Sequence, residues 1–571
     1  MRAVPAMLAC VVLGLAFLAP GCGGPGPGGE GDVTILTGVR FWTGDPERPF
    51  AEGLLVEEGR IRALLSREEI PRALAHGGKV VQLPGKLAVP GLVDAHGHLL
   101  GYGLARRRAD LVGARTLAEA IERVRAFAAA HQDDPWVLGR GWDQEDWPDH
   151  AWPTADCLEE AVPGRPCALW RVDGHALWVN RTALREAGID ARTPDPPGGK
   201  ILRAPNGEPT GILLDAAEEL VTAKIPPPSP QLAEEILADV GRDLLAKGLA
   251  GFHAMSVTKV EWDALARLSR TGRFPLRVWA YAEWGDPLAE EALATGPRDE
   301  GRLHLVGVKL FADGALGSRG ARLLEPYADD PGNRGIWVTP PEELERRIRA
   351  AMERGLQPAV HAIGDAANHE LLGIYRRLLG EHPEREALRP RVEHAQVVPP
   401  GDISLFGKLP VVASMQPTHA TSDMPWAKER LGAARLAGAY AWRSILAAGG
   451  HLAFGSDVPV ESCDPRLGLW AAVTRQDLAG NPPGGWLPEQ RLTLPEALAA
   501  FSAGAAWAVR REDDLGRLAP GYLADLTVFD RDIVRAVEEG NPRALLDARV
   551  TATVIGGTPW FPHPHGKDKA R

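Results

Sequence analysis

Val93-Asp94-Ala95-His96-Gly97-His98 closes an apolar run that begins near Leu87. Successive side chains of an extended strand face opposite ways, so residues two apart share a face. His96 and His98 therefore present two imidazoles to one point in space, and Gly97 leaves the other side uncrowded. An apolar strand that ends in His-x-His suits a core poorly and suits a metal ion well. A pair of buried, hydrogen-bonded histidines is the competing reading, and the motif alone does not separate the two.

Outward from this run, apolar strand-like stretches alternate with helical patterns, the signature of βα units on a parallel sheet. The stretches are residues 92–98, 248–255, 277–282, 305–313, 358–365, 391–396, 411–417 and 452–457. Eight is the number that a closed (β/α)8 barrel needs. Segments between them, such as 341–354 and 369–379, carry amphipathic helical spacing. Two more apolar runs, 136–142 and 168–172, would overfill the barrel. They are assigned to an insertion after the first barrel strand, about residues 105–230, with Pro-rich loops at 194–197 and 226–230. Short strand signals stand at both chain ends, at 33–37, 53–56, 80–83, 524–529 and 550–555. The expected fold class is thus α/β: a TIM-like (β/α)8 barrel over 87–513, beside a small β-sandwich built from 32–86 and 514–560.

A chain of 571 residues exceeds one ordinary core. Its 45% hydrophobic and 24% charged residues are those of a globular enzyme, and a net charge of −11 argues against a nucleic-acid surface. Arg106-Arg107-Arg108 is too short to count as a basic patch. At the N-terminus, Arg2 precedes an apolar stretch from about 6 to 19, too short to span a bilayer comfortably. Leu18-Ala19-Pro20-Gly21-Cys22 resembles a lipobox, so residues 1–22 are read as a lipoprotein-type signal peptide and 23–31 as a Gly/Pro tether. Cys22 would then be lipidated, and the protein exported and anchored facing the periplasm or cell exterior; plain secretory cleavage is the alternative. Of five cysteines, Cys157, Cys167 and Cys463 remain, with a Cys157–Cys167 pair left open. No Cys-x-x-Cys spacing exists, so a metal must be held by His and carboxylate. Seventeen tryptophans include several in 130–180 that either wall a pocket or fill a core.

In a parallel barrel, active-site residues stand at the C-terminal ends of strands. Those ends carry His96 and His98, then Lys309 in Val308-Lys309-Leu310-Phe311, His361, Glu393-His394, and Asp457 after Gly455-Ser456. Alone, His361 or His394 would read as a satisfied polar residue, and Asp457 as a helix N-cap. Burying the Lys309 ammonium without a partner is costly. Together the six point to a metal centre.

The stretches 90–98, Gly139-Arg140-Gly141-Trp142-Asp143-Gln144, Asp173-Gly174-His175, 308–319, His361-Ala362-Ile363-Gly364-Asp365, Glu393-His394-Ala395, Gln416-Pro417, Ser456-Asp457 and 520–526 carry a resemblance. From about residue 33 to 557 the chain resembles the amidohydrolase superfamily, specifically amidohydrolase family 3, the branch that contains N-substituted formamide deformylase. The resemblance implies that His96, His98 and Asp457 hold one divalent ion, expected to be zinc, and that His361 and His394 hold a second. Lys309, carbamylated by carbon dioxide, would bridge them, and the adjacent cations would stabilise the new anion. A single-metal site using part of the set stays open. The metal would lower the pKa of its water from about 15.7 towards roughly 7. Asp457 would take that water's proton and deliver it to the leaving nitrogen.

Trp142, His175, His253, Arg319, Asp365 and His419 are candidates for substrate contact, each with a structural role as the alternative, and Trp178 is a candidate pocket wall. Asp313-Gly314 is read as a turn. The expected function is that of an exported amidohydrolase cleaving a non-peptide C–N bond, such as that of an N-substituted formamide. A deaminase or cyclic-amide hydrolase of the same superfamily and a non-catalytic ligand-binding lipoprotein are the alternatives. Lys309 tells against the deaminase, and the filled ligand set against the lipoprotein. The expected partner is a small amide-type molecule, with no nucleic acid, membrane contact only through the lipid anchor, and oligomerisation open.

Overall fold

The computed structural model describes residues 33–560, apart from 76, 77 and 133. The expected signal peptide at 1–22, the expected tether at 23–31 and the expected lipidation site Cys22 lie outside the described residues.

Eight parallel strands run around the central sheet: β1 (Leu92–Gly97), β2 (Leu249–Val257), β3 (Arg277–Glu283), β4 (Leu303–Phe311), β5 (Gln357–Ala362), β6 (Arg391–His394), β7 (Val412–Met415) and β8 (His451–Phe454), and a short ninth strand, Arg298–Glu300, pairs antiparallel with β4. Each of the eight pairs with its neighbours in chain order. Their sequences are near-continuous apolar runs because both faces of such a sheet are covered. Helix Pro341–Glu353 shows the matching outer layer, burying Leu344, Ile348, Ala351 and Met352 at helical spacing. Helix Asp365–Glu381 starts three residues beyond β5 and buries Leu371, Leu372, Tyr375 and Leu378. The circle closes between β8 and β1 just past the strand ends. There the Asp457 N–H donates to His96 O at 2.7 Å and the His98 N–H to Val458 O at 2.8 Å. This is the TIM-like barrel that the alternation predicts.

Between β1 and β2 stands a separate six-stranded mixed sheet, from Ala109–Asp110 to Pro209–Asp215. Tryptophans fill its core: Trp142 and Trp178 are both 0% exposed, with ring centroids 5.9 Å apart. Both indole N–H groups are used up locally, Trp142 on Leu169 O and Trp178 on Thr154 O. Neither walls a pocket, contrary to expectation; an indole with its N–H satisfied inside an apolar core contributes packing. Cys157 and Cys167 are both free thiols, so the pairing left open by the sequence is not made.

Segments from the two ends of the described residues build two further sheets. One holds Thr34–Thr37, Gly53–Glu57, Arg60–Leu65 and Lys79–Gln82; the other joins Arg40–Trp42 and Phe50–Ala51 to Leu526–Phe529, Val550–Ile555 and Thr558–Trp560. Leu36, Leu54 and Ile61 of the first share a core with Phe41, Leu526, Val528 and Val554 of the second. Leu87–Pro90, read in the sequence as the start of the barrel run, belongs to the second sheet, where it pairs with Leu526–Phe529 and Arg40–Phe41. The apolar run is therefore two strands of different sheets, divided at Gly91. A Cβ there would come within 2.8 Å of Ala250 Cβ, so only glycine lets the chain pass.

One buried ion pair joins the two units. Arg277 on β3 donates through Nε and Nη2 to Asp525 at 2.6 and 3.1 Å, and Asp525 also accepts the Gly556 N–H at 2.7 Å. Removing one partner of such a pair strands a charge, at a cost of roughly 3–5 kcal/mol. Asp525→Ala should lower the unfolding free energy by about 3 kcal/mol, read as a shift in the urea midpoint. An unshifted midpoint would mean that the junction carries no stability.

Candidate metal centre and active site

The seam of the barrel is held by Asp94, whose side chain is buried. Its Oδ1 accepts the N–H groups of His96 and Ser456, at 3.1 and 3.0 Å, and its Oδ2 accepts the Ser456 hydroxyl at 2.5 Å. Burial pushes its carboxyl up to about 6. These bonds tie β1 to the turn after β8, where Asp457 sits in the left-handed region at φ 60°. A non-glycine residue there costs energy and persists only where its surroundings hold it.

Each histidine of the rim is oriented through the nitrogen that faces away from the centre. His96 Nδ1 meets Glu393 Oε2 at 2.6 Å, His98 Nδ1 meets Met255 O at 3.1 Å, and His394 Nδ1 meets Gln416 Oε1 at 2.8 Å. His361 is turned the other way, with Nε2 3.3 Å from Gly314 O. As a result His96 Nε2 and His98 Nε2 converge on Asp457 Oδ1, at 3.3 and 3.2 Å. The rings of His96 and His361 stand 4.9 and 4.6 Å from that of His394. Lys309 reaches the same region, 1% exposed, with its Nζ 3.7 Å from the centre of the Phe311 ring.

Two sets of donor atoms lie within 4.8 Å of one another: His96, His98 and Asp457, and His394, His419 and Asp457. His419 thus stands among the possible ligands, its Nε2 3.9 Å from Asp457 Oδ2. His361 lies beside the second set and outside it. The fit to a cation is chemical as well as spatial. His96 Nε2, His419 Nε2 and Lys309 Nζ are buried polar atoms without a hydrogen-bond partner, and each such orphan is costly unless something occupies it. Burial pushes the His98, His361 and His394 imidazoles down, which favours the neutral form that binds metal. Burial alone would raise Asp457, but the charge of His96 and the close approach of the His96 and His98 imidazoles hold it well below the usual carboxylate range. Burial pushes Lys309 down to about 8.

Above the centre opens a cavity of about 210 Å³. His175, His361, His394, His419 and Asp457 line its floor, and Arg171, Asp143 and Asp173 of the insertion line its side. Besides Trp142, three expected contact residues lie elsewhere. His253 is 0% exposed inside the barrel, its Nδ1 2.9 Å from Arg391 Nη1. Arg319 pairs with Asp329 at 3.0 Å. Asp365 opens a helix and accepts the Leu324 N–H at 2.8 Å. The partners of all three are protein groups outside the cavity. Asp313 does shape its turn, accepting the N–H groups of Ile363, Gly364 and Arg322 at 3.0, 2.8 and 2.8 Å.

Sequence reasoning missed the groups behind the histidines. Glu393 was seen only as the neighbour of His394, yet it is the carboxylate that fixes His96. Arg391 grips it through Nε, 2.6 Å from Oε1. The signal was present: Arg-x-Glu on a strand puts both side chains on one face. Gln416, and Asp215, whose Oδ1 lies 2.7 Å from His175 Nδ1, gave no comparable signal, because their roles depend on contacts across the fold.

Comparison with known proteins accords with this geometry. Residues 79–561 match the amidohydrolase family. The protein is 34% identical over 560 residues to Protein LONG AFTER FAR-RED 3 of Arabidopsis thaliana, covering 94% of this chain and 93% of that one. It is 28% identical over 521 residues to N-substituted formamide deformylase of Arthrobacter pascens, covering 88% and 94%. Among solved structures, an uncharacterized metal-dependent hydrolase from Pyrococcus horikoshii OT3 superposes with a TM-score of 0.72 at 28% identity, covering 88% of this chain and 98% of that one. The chain belongs to the amidohydrolase family.

Ligand histidines that lose their outer partner typically lose tenfold to a hundredfold in metal affinity. Glu393→Gln, which removes the negative charge behind His96, should weaken divalent-metal binding by about that factor in a chelator competition assay. Unchanged affinity would show that His96 is aligned without it.

Proposed function

We propose that the protein hydrolyses a non-peptide carbon–nitrogen bond in a small amide of the N-substituted formamide type, using one or two divalent metal ions. The observation that carries this reading is the convergence of His96 Nε2, left without a hydrogen bond, and His98 Nε2 on one Asp457 oxygen at the base of an open cavity. His96, His98 and Asp457 would hold one ion; His394, with His361 or His419, would hold a second. Nitrogen and carboxylate donors suit zinc. When bound, such an ion supplies Lewis acidity, polarising a carbonyl and acidifying water. Two names among the relatives support the reading: a formamide deformylase and a metal-dependent hydrolase.

The remaining steps belong to the chain. Asp457, kept ionised by His96 and His98, accepts the proton of the attacking water and passes it to the departing nitrogen. Its position at the cavity floor lets one carboxylate serve both transfers. Lys309, pushed down to about 8 by burial, offers a free amine more readily than an exposed lysine. Attack of Nζ on carbon dioxide forms an N–C bond and releases a proton, leaving a carbamate. That converts an orphaned buried cation into an anion facing the histidines. Leu316, Trp426 and Val460 give the cavity apolar wall for the substituent on nitrogen.

Two substitutions test this. A positioned proton shuttle is worth about 10²–10⁴ in rate, so Asp457→Asn should lower kcat on N-benzylformamide by at least about a hundredfold with the far-ultraviolet dichroism unchanged. Near-normal turnover would remove Asp457 from the proton path. Lys309→Ala should reduce the metal content per chain by elemental analysis; an equal content would rule out a bridging lysine.

A further inference from the structure

At the end of the barrel opposite the catalytic cavity, a second cavity of about 250 Å³ opens beside the first residues of β3 and β4. Its other wall is the turn after helix Ala503–Ala508. Trp279, His304 and three arginines, Arg298, Arg510 and Arg511, line it. The single carboxylate of the wall, Asp299, is taken by His304 Nδ1 at 2.5 Å.

Three guanidiniums at one opening repel one another, and their protein neighbours compensate them only in part. Asp514 holds Arg511 through Nε and Nη2, at 2.9 and 2.8 Å, and leaves Nη1 over. Arg298 reaches Glu291 through Nη1 at 3.4 Å, while its Nε is buried without a hydrogen bond. Arg510 makes no ion pair and no side-chain hydrogen bond among the described residues. Its backbone is left-handed, at φ 62°, a conformation that costs a non-glycine residue energy and that its surroundings must enforce.

Trp279 gives an independent sign. It is 2% exposed, yet nothing among the described residues accepts its indole N–H. Buried tryptophans usually find a partner for that group. A Cβ at Gly251 would lie 3.1 Å from Trp279 Cζ3, so the six-membered edge of the ring rests on β2 and the N–H edge turns away from it. The ring face stacks on His304, with centroids 5.6 Å and planes 17° apart. An indole N–H only donates and a guanidinium stays charged, so the wall calls for a negatively charged acceptor at any ordinary pH. We infer that this cavity binds a phosphate group, free or as the monoester of a small molecule. Phosphate carries more charge than a carboxylate and offers oxygens in several directions, which suits donors arriving from two arginines and an indole. Arg510 and Arg511 Nη1 would hold the oxygens, the Trp279 N–H would take another, and Val306 and Val509 would cover the substituent of an ester. The site is independent of the amide-hydrolase reading.

The test follows the Trp279 indole resonance in the full chain labelled with ¹⁵N-tryptophan, assigned by its loss in Trp279→Phe. Inorganic phosphate, with ionic strength held constant by sodium chloride, should move it along a saturable curve. A charge-assisted hydrogen bond is worth about tenfold or more in affinity. Arg510→Asn, in which asparagine tolerates the left-handed backbone, should therefore weaken binding by about tenfold. Phosphate bound at the metal centre would be indifferent to that substitution. By calorimetry, Trp279→Phe, which keeps the ring stack and deletes the N–H, should lose about twofold to tenfold. A shift that does not saturate, or unchanged affinity in both variants, would overturn the inference. An equal response to benzoate, a carboxylate of similar size to phenyl phosphate, would overturn it as well. Phenyl phosphate separates the two sources: tighter binding than inorganic phosphate marks a monoester site, equal or weaker binding marks a site for the free ion, and either result supports the inference.

Discussion

The guanidinium of Arg391, wholly buried on β6, is the hub of the barrel interior. It donates to Ala95 O on β1 and Ser414 Oγ on β7, contacts His253 on β2 and Tyr281 on β3, and clasps Glu393 on its own strand. Five strands are thereby tied to one planar cation with fixed donor directions. The energetic return of a buried ion pair over an apolar core is small, whereas breaking one is expensive. What the pair supplies is direction. Glu393, loaded by Arg391, points its second oxygen at His96 Nδ1, and the ring then has one orientation left.

Orientation passes from that hub to the seam. The His96 carbonyl accepts the Asp457 N–H, and the His98 N–H donates to Val458 O, so the bonds that complete the barrel involve the residues that form its centre. Asp94 locks the same junction from beneath through Ser456. Closing the sheet and assembling the site are one event. The left-handed backbone at Asp457 is the local strain that this economy entails.

Much of this was legible in the sequence, for a physical reason. Parallel barrels write their strands as apolar runs and place chemistry at one end of each, so His96, His98, Lys309, His361, His394 and Asp457 could be ordered around a rim before any coordinates. The same logic misled at His253 and Asp365, where a strand-end polar residue turned inward to protein partners. Trp142 failed differently: aromatic clustering does not distinguish a wall from a core, and burial decided it. The Leu87–His98 run concealed a change of sheet because apolar continuity carries no mark of which neighbours a strand will find. The close approach of Gly314 and Gly320 to Asp215 was illegible altogether, since it joins segments about a hundred residues apart.

The composite sheet bears on how the molecule is made. Leu87–Pro90 runs directly into the strand that carries His96, yet it lies between Arg40–Trp42 and Leu526–Phe529. The Leu92 N–H bonds to the Thr527 hydroxyl across 435 residues. During synthesis the first barrel strand therefore waits, with one edge unpaired, until nearly all of the polypeptide has left the ribosome. Such distant pairings slow folding and lengthen the exposure of a sticky edge. On this topology an early strand keeps one border open through most of translation.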